Sequence, residues 1–265
     1  MMKEKSSGVL MHISSLPSEY GIGTMGVEAR KFVDFLEAAG QSYWQMLPIC
    51  PTSYGDSPYQ SFSTYAGNLY FIDLLCEQGL LLPEEYKERD WGNDPKQVDY
   101  GKIYESRYPV LRKAAERFAE QIPESYETFC RNNAYWLDDY ALFMALKEVH
   151  DGKPWQEWEP ELRNRDKKVL DLVLLQYMKK IQFWKIMQYL FFEQWKTLRT
   201  YANEHGVKII GDLPIYVSLD SVDVWAHPEL FQLDVRRMDF PQTDSCGAIP
   251  SLTGIIWKRT DTAGG

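Results

Sequence analysis

The chain has 265 residues, 29 Lys plus Arg against 38 Asp plus Glu, a formal charge of −9, and 45% hydrophobic residues. That composition suits a globular protein with one or two cores. It contains no run of about 18 uncharged apolar residues that could cross a membrane, and its start lacks the apolar stretch of a secretory signal. A pI near 5.1 without a long basic run argues against nucleic acid or an anionic membrane as partner, so a soluble, cytoplasmic protein is expected.

Gly8–Ile13 reads as a short buried strand followed by a long Pro- and Gly-containing loop. Glu28–Ala39 carries an apolar helical face, Phe32, Val33, Phe35 and Leu36, and Gly40 stops it. Ser42–Leu47 returns to strand, giving a strand–helix–strand order. A run of turn formers from Cys50 to Asn68 follows, and loops that long inside a compact domain are usually functional. Leu69–Leu74 reads as a third strand. Helical spacing then dominates over Tyr104–Gln121, Tyr135–Val149 and one long helix, Val169–His205, with a loop bearing two exposed tryptophans, Trp155 and Trp158, between the last two. Val207–Leu213 is a buried strand ending in Asp212. Four strands are half of what a (β/α)8 barrel needs.

The four cysteines (Cys50, Cys76, Cys130, Cys246) and four histidines are scattered, which suits ordinary reduced thiols. There is no HExxH, P-loop or GxGxxG, so zinc hydrolysis, nucleotide triphosphates and dinucleotide cofactors have no support. Aromatics make up 14% of the chain. The loop Ser53–Ser61 combines Tyr54 and Tyr59 with Ser57 and Gln60, where rings can cover the C–H face of a sugar and short polar groups can bind its hydroxyls. Asp212, at the carboxyl end of a strand, is either a substrate contact or a cap of the Leu213–Pro214 turn. Asp220 and Asp223 read as helix caps. Glycosidic chemistry needs two carboxylates flanking the bond, and the helical acids, interleaved with Lys and Arg, read as solvated faces instead.

Three segments carry a family resemblance: SGVLMHISSLPSEYGIGTMG, YWQMLPICPTSYGDSPYQSFSTYAGN and VKIIGDLPIYVSLDSVDVWAHPELFQLD. Together, over Ser6 to Asp234, the sequence closely resembles the 4-α-glucanotransferases of the amylomaltase (disproportionating enzyme) family. The resemblance implies an α/β fold, the N-terminal half of an incomplete (β/α)8 TIM barrel with an inserted helical subdomain. The units expected are 1–82 (first strands and substrate loops), 83–204 (helical subdomain), 205–234 (a further strand and loop) and 235–265 (a divergent tail). It implies transfer of α-1,4-glucan segments between maltodextrins by a retaining double displacement, without metal or organic cofactor. Partners are maltooligosaccharides and starch- or glycogen-derived α-glucans, with no nucleic acid and no membrane. Tyr59 matches the tyrosine that stacks on the donor sugar, Asp212 the aspartate ending the third barrel strand, and Tyr54 and Tyr100 aromatics of a secondary glucan site.

No catalytic residue can be assigned: the family's R-x-D-H-F-R, E-D-L-G and H-D-N strings do not occur. The chain is therefore expected to be a truncated, inactive copy. The alternatives are a non-catalytic α-glucan-binding module using Tyr54, Tyr59 and Trp225, and a half barrel whose open strand edges keep it from folding stably. Residues 235–265 do not read like the family, yet a shifted reading frame lets Asp244–Pro250 spell Q-L-W-G-N-P, a family-like segment. Out-of-frame translation of that tail is the expectation, and coding DNA without the alternative frame would exclude it.

Overall fold

The structure is a computed structural model that describes residues 5–233 except Tyr54, residues 75–78, Asn93, Pro95, Ile215 and Gln232. The 235–265 segment lies outside the described residues. Three short parallel strands, β1 (Gly8–Leu10), β2 (Tyr43–Gln45) and β3 (Lys208–Ile210), form a sheet in the order β1-β2-β3. The register pairs Val9 with Trp44 and Trp44 with Ile209. Two further amides extend the ladder toward the carboxyl ends: Met11 N–H donates to Gln45 O at 3.0 Å and Met46 N–H to Ile210 O at 2.9 Å.

Alternation divides the sheet into two faces. Val9, Trp44 and Ile209 face the core, with Trp44 fully buried and its indole N–H given to Met11 O at 2.7 Å. Leu10 and Ile210 on the other face are 56% and 43% exposed. Helix α1 (Val27–Ala38) buries Ala29, Val33 and Leu36, and neighbouring Phe32 meets the Trp44 ring edge-on at 5.0 Å. Gly40, at φ +66°, ends α1 in the left-handed region, where Gln41 N–H reaches back to Leu36 O at 2.8 Å. Gly206, at φ +73°, does the same before β3.

Between β2 and β3 lie α2 (Tyr100–Glu120), α3 (Glu124–Val149), α4 (Pro160–Arg163), α5 (Lys167–Gln176) and α6 (Met178–Glu204). Helix α6 packs on α2, α3, α5, α1 and β3, so the helices and the sheet share one core. A short helix, α7 (Val222–Ala226), follows β3. No helix among the described residues is long and apolar enough to cross a membrane.

Three local expectations are corrected. Leu69–Leu74 is not a strand: Leu69–Phe71 forms a 3-10 turn capped by Asn68, whose Oδ1 accepts from Tyr70 N–H at 3.0 Å. Its backbone finds partners without a neighbouring strand. Met25 N–H donates to Phe71 O, Arg107 donates to Leu69 O and Ile72 O, and Gln194 Oε1 accepts from Asp73 N–H at 2.7 Å. The long helix expected from Val169 is two helices, α5 and α6, broken at Tyr177 (φ −111°, ψ 21°). Trp155 and Trp158 are buried at 3% exposure each, with Trp155 donating to Leu219 O at 2.8 Å.

Candidate functional site

The loop after β2 is folded back on itself. Thr52 and Ser61 form an antiparallel bridge, Ser53 N–H donates to Gln60 O at 3.0 Å, and Gln60 N–H to Ser57 O at 3.1 Å. Gly55 (φ 82°) and Asp56 (φ 54°) turn the tip through the left-handed region. Ser57 Oγ accepts from Tyr59 N–H at 3.3 Å, so it serves the turn, while Gln60 stands exposed. Tyr59 is 46% exposed. Its hydroxyl donates to Asp212 Oδ2 at 2.8 Å, across 153 residues of sequence.

Asp212 stands two residues beyond β3, half-buried, and its Oδ1 accepts from Leu213 N–H at 2.9 Å. The carboxylate therefore accepts from the turn that follows it, as the capping reading expects, and also holds Tyr59. The hydrogen bond to Asp212 raises the Tyr59 phenol pKa. A half-exposed ring beside a carboxylate at the carboxyl ends of parallel strands can cover one face of a sugar and accept from its hydroxyls.

Tyr100 opens α2 rather than extending this pair. Its ring lies 6.1 Å from that of Tyr70, and burial followed by the nearby Asp56 carboxylate raises its pKa. Burial likewise raises the Asp56 carboxyl. Beneath the loop, Pro51, Thr52, Tyr70, Tyr108 and Tyr140 help line a cavity of about 30 Å³. Tyr54 lies outside the described residues.

Trp225 does not fit a sugar plate. It is 1% exposed, its indole N–H donates to Leu162 O at 3.1 Å, and it packs on Phe143, Trp158 and the Arg165 guanidinium. An aromatic flanked by acids in the sequence was turned inward because α7 packs on α3. The capping roles of Asp220 and Asp223 are corrected as well. Ser221 is the cap of α7, its Oγ accepting from Val224 N–H at 3.3 Å. Asp220 instead accepts from the buried Lys147 ammonium at 2.6 Å. Asp223 accepts from Thr64 N–H at 3.0 Å and Thr64 Oγ–H at 2.8 Å.

His12, which follows β1, carries a buried Nδ1 without a hydrogen-bond partner, and burial lowers its pKa to about 4. Burial also pushes the Cys50 thiol up to about 12. Among the described residues no group of three or more His, Cys, Asp or Glu could hold a metal ion.

Residues 11–254 match the Glyco_hydro_77 family, described as 4-alpha-glucanotransferase. The matched range ends at residue 254, inside the 235–265 segment. The chain is 46% identical over 250 residues to the 4-alpha-glucanotransferase of Clostridium butyricum, covering 93% of this chain and 51% of the relative. It is 48% identical over 263 residues to that of Streptococcus pneumoniae serotype 4, covering 97% of this chain and 52% of the relative. It superposes on an amylomaltase from Streptococcus agalactiae, solved in complex with acarbose, with TM-score 0.84 and 45% identity, covering 88% of this chain and 48% of that one. Amylomaltase from Corynebacterium glutamicum shares the fold at TM-score 0.64 and 19% identity, covering 85% of this chain and 32% of that one. The chain spans about half the length of the curated relatives it matches. With a family match across most of its length, the chain belongs to the 4-alpha-glucanotransferase family.

Proposed function

We propose that this chain forms the glucan-binding N-terminal half of a (β/α)8-barrel 4-α-glucanotransferase. In this reading Tyr59 stacks on the donor sugar and Asp212 accepts hydrogen bonds from its hydroxyls. The observation that carries it is the 2.8 Å Tyr59–Asp212 hydrogen bond, which joins the loop after β2 to the segment after β3 at the carboxyl ends of parallel strands. Tyr100, with Tyr54, belongs to a second contact along the same glucan. The three parallel strands supply the first part of the barrel wall.

In the whole enzyme the reaction is a retaining double displacement: a carboxylate displaces the leaving sugar, and a second carboxyl protonates it and then activates the acceptor hydroxyl. The sequence segments that carry those carboxylates in the family are absent from these 265 residues. The chain by itself is therefore proposed to bind α-1,4-glucan without transferring it.

Acarbose, the ligand of the Streptococcus agalactiae amylomaltase structure, is the probe. Calorimetric titration of the 265-residue chain is expected to show binding that Tyr59→Ala weakens about tenfold or more and Tyr59→Phe by a smaller factor, since a stacked ring contributes more than one hydrogen bond. Incubation with maltotriose is expected to leave the sugar unchanged. Glucose and longer maltooligosaccharides among the products would overturn the binding-only reading. Absence of acarbose binding would overturn the glucan site itself.

A further inference from the structure

The two segments that form the site are held together by more than Tyr59 and Asp212. Five residues beyond Tyr59, Thr64 gives both its N–H and its hydroxyl to the two oxygens of Asp223, at 3.0 and 2.8 Å. Asp223 lies on α7, eleven residues beyond Asp212. Next to this pair, Val222 N–H donates to Phe62 O at 2.9 Å. Neither oxygen of Asp223 is needed to start α7, because Ser221 caps that helix.

The stretch between Tyr59 and Thr64 is internally fastened. Ser61 Oγ donates to Ser63 O at 2.7 Å and accepts from Ser63 N–H at 3.1 Å, while the Thr52–Ser61 bridge ties the stretch to the base of the loop. Ser61 and Ser63 thus form a fixed link between Thr64 and the loop that carries Tyr59. On the other side, Asp220 anchors the approach to α7 through Lys147 and through Trp155 N–H at 3.2 Å. Burial raises the Asp223 carboxyl, and the two bonds from Thr64 oppose that rise.

We propose that Asp223 is a positioning residue for the glucan site: its two-oxygen clamp on Thr64 sets the ring of Tyr59 against Asp212. The inference rests on the glucan-binding reading for its affinity consequence, but the clamp's effect on Tyr59 stands apart from any ligand.

The test uses the 265-residue chain labelled with 13Cζ-tyrosine, with the Tyr59 signal assigned by its loss in Tyr59→Phe. In the wild type the hydrogen bond to Asp212 is expected to hold the Tyr59 phenol above its ordinary value. In Asp223→Ala and Thr64→Val that titration is expected to move down toward the ordinary value, and in Thr64→Ser to stay with the wild type. Acarbose affinity is expected to fall about five- to tenfold in the first two variants, the order of one well-placed hydrogen bond, and to change less than about twofold in Thr64→Ser. Folded Asp223→Ala and Thr64→Val proteins with unchanged Tyr59 titration and unchanged affinity would overturn the proposal. Should Asp223→Ala fail to fold, the near-isosteric Thr64→Val decides. If the wild type does not bind acarbose, the glucan reading fails while the Tyr59 titration still decides the clamp.

Discussion

His12 shows how burial alone sets the state of a side chain. Its imidazole meets Phe71 edge-on at 5.2 Å, and Nδ1 has no hydrogen-bond partner. With Nδ1 buried and unpartnered, the neutral tautomer that carries its proton on Nε2 is favoured. Desolvation takes the pKa from 6.5 to about 4. Because the folded pKa lies below the unfolded one, the resulting stability is fully present above pH 6.5 and is lost as pH falls through about 4. His12→Gln is expected to flatten that acid limb. Urea midpoints at pH 7, 5.5 and 4 should show the wild type losing more stability than the variant, with a difference slope of at most about 1.4 kcal/mol per pH unit for one proton. None of this was legible in the sequence, where His12 is one of four dispersed histidines. By contrast, Tyr59 and Asp212 were visible as candidates, one in an aromatic, hydroxyl-rich loop and one at a strand end, and the family resemblance singled out both. That they bond to each other was not visible, since 153 residues separate them.

At the scale of elements, two devices lock the helices to the loops. Lys147, near the end of α3, donates to Gly152 O, Lys153 O and Asp220 while lying 4.9 Å from the Phe62 ring centroid. Burial lowers the Lys147 pKa and raises that of Asp220, so the pair is costly to separate. Lys147→Met is expected to cost about 3–5 kcal/mol and Lys147→Met/Asp220→Leu clearly less, which chemical denaturation and a double-mutant cycle would measure. The second device is Gly67. Its N–H and C=O both bond the Gln188 amide on α6, at 2.7 and 3.0 Å, and a Cβ there would stand 2.1 Å from the Phe191 ring. Gly67→Ala is expected to destabilise by about 1–3 kcal/mol or more through overpacking, seen as a lower denaturation midpoint. Helical spacing revealed α1, most of α2 and the second half of α3, but not Glu124–Ala134, the first half of α3. Periodicity misread Leu69–Leu74 because a short apolar run has the same composition in a strand and in a buried turn. Asn68, just before the run, caps the turn, and the side chains of Arg107 and Gln194, arriving from elsewhere in the sequence, take up the backbone groups that a strand partner would otherwise bond.

For the molecule as a whole, α6 is the central support, touching α2, α3, α1 and β3. One core connects Trp44 under the sheet with Phe143, Met187 and Phe191 among the helices. A single cooperative transition is therefore expected, with near-UV and far-UV circular dichroism melting together. Separate transitions would show that the helices fold independently of the sheet. The sequence by itself determined the presence of the three strands, the positions of most helices and the polar, aromatic loop after β2, because these depend on local spacing and turn chemistry; it read β1 and β3 as buried, where Leu10 and Ile210 are exposed. Tertiary structure alone decided that Trp225, Trp155 and Trp158 are core rather than surface, that Asp220 and Asp223 are clamps rather than caps, and that Tyr59 meets Asp212. A side chain's burial and its partner are set by which elements pack together, and elements distant in the chain carry no mark of that meeting in their local pattern.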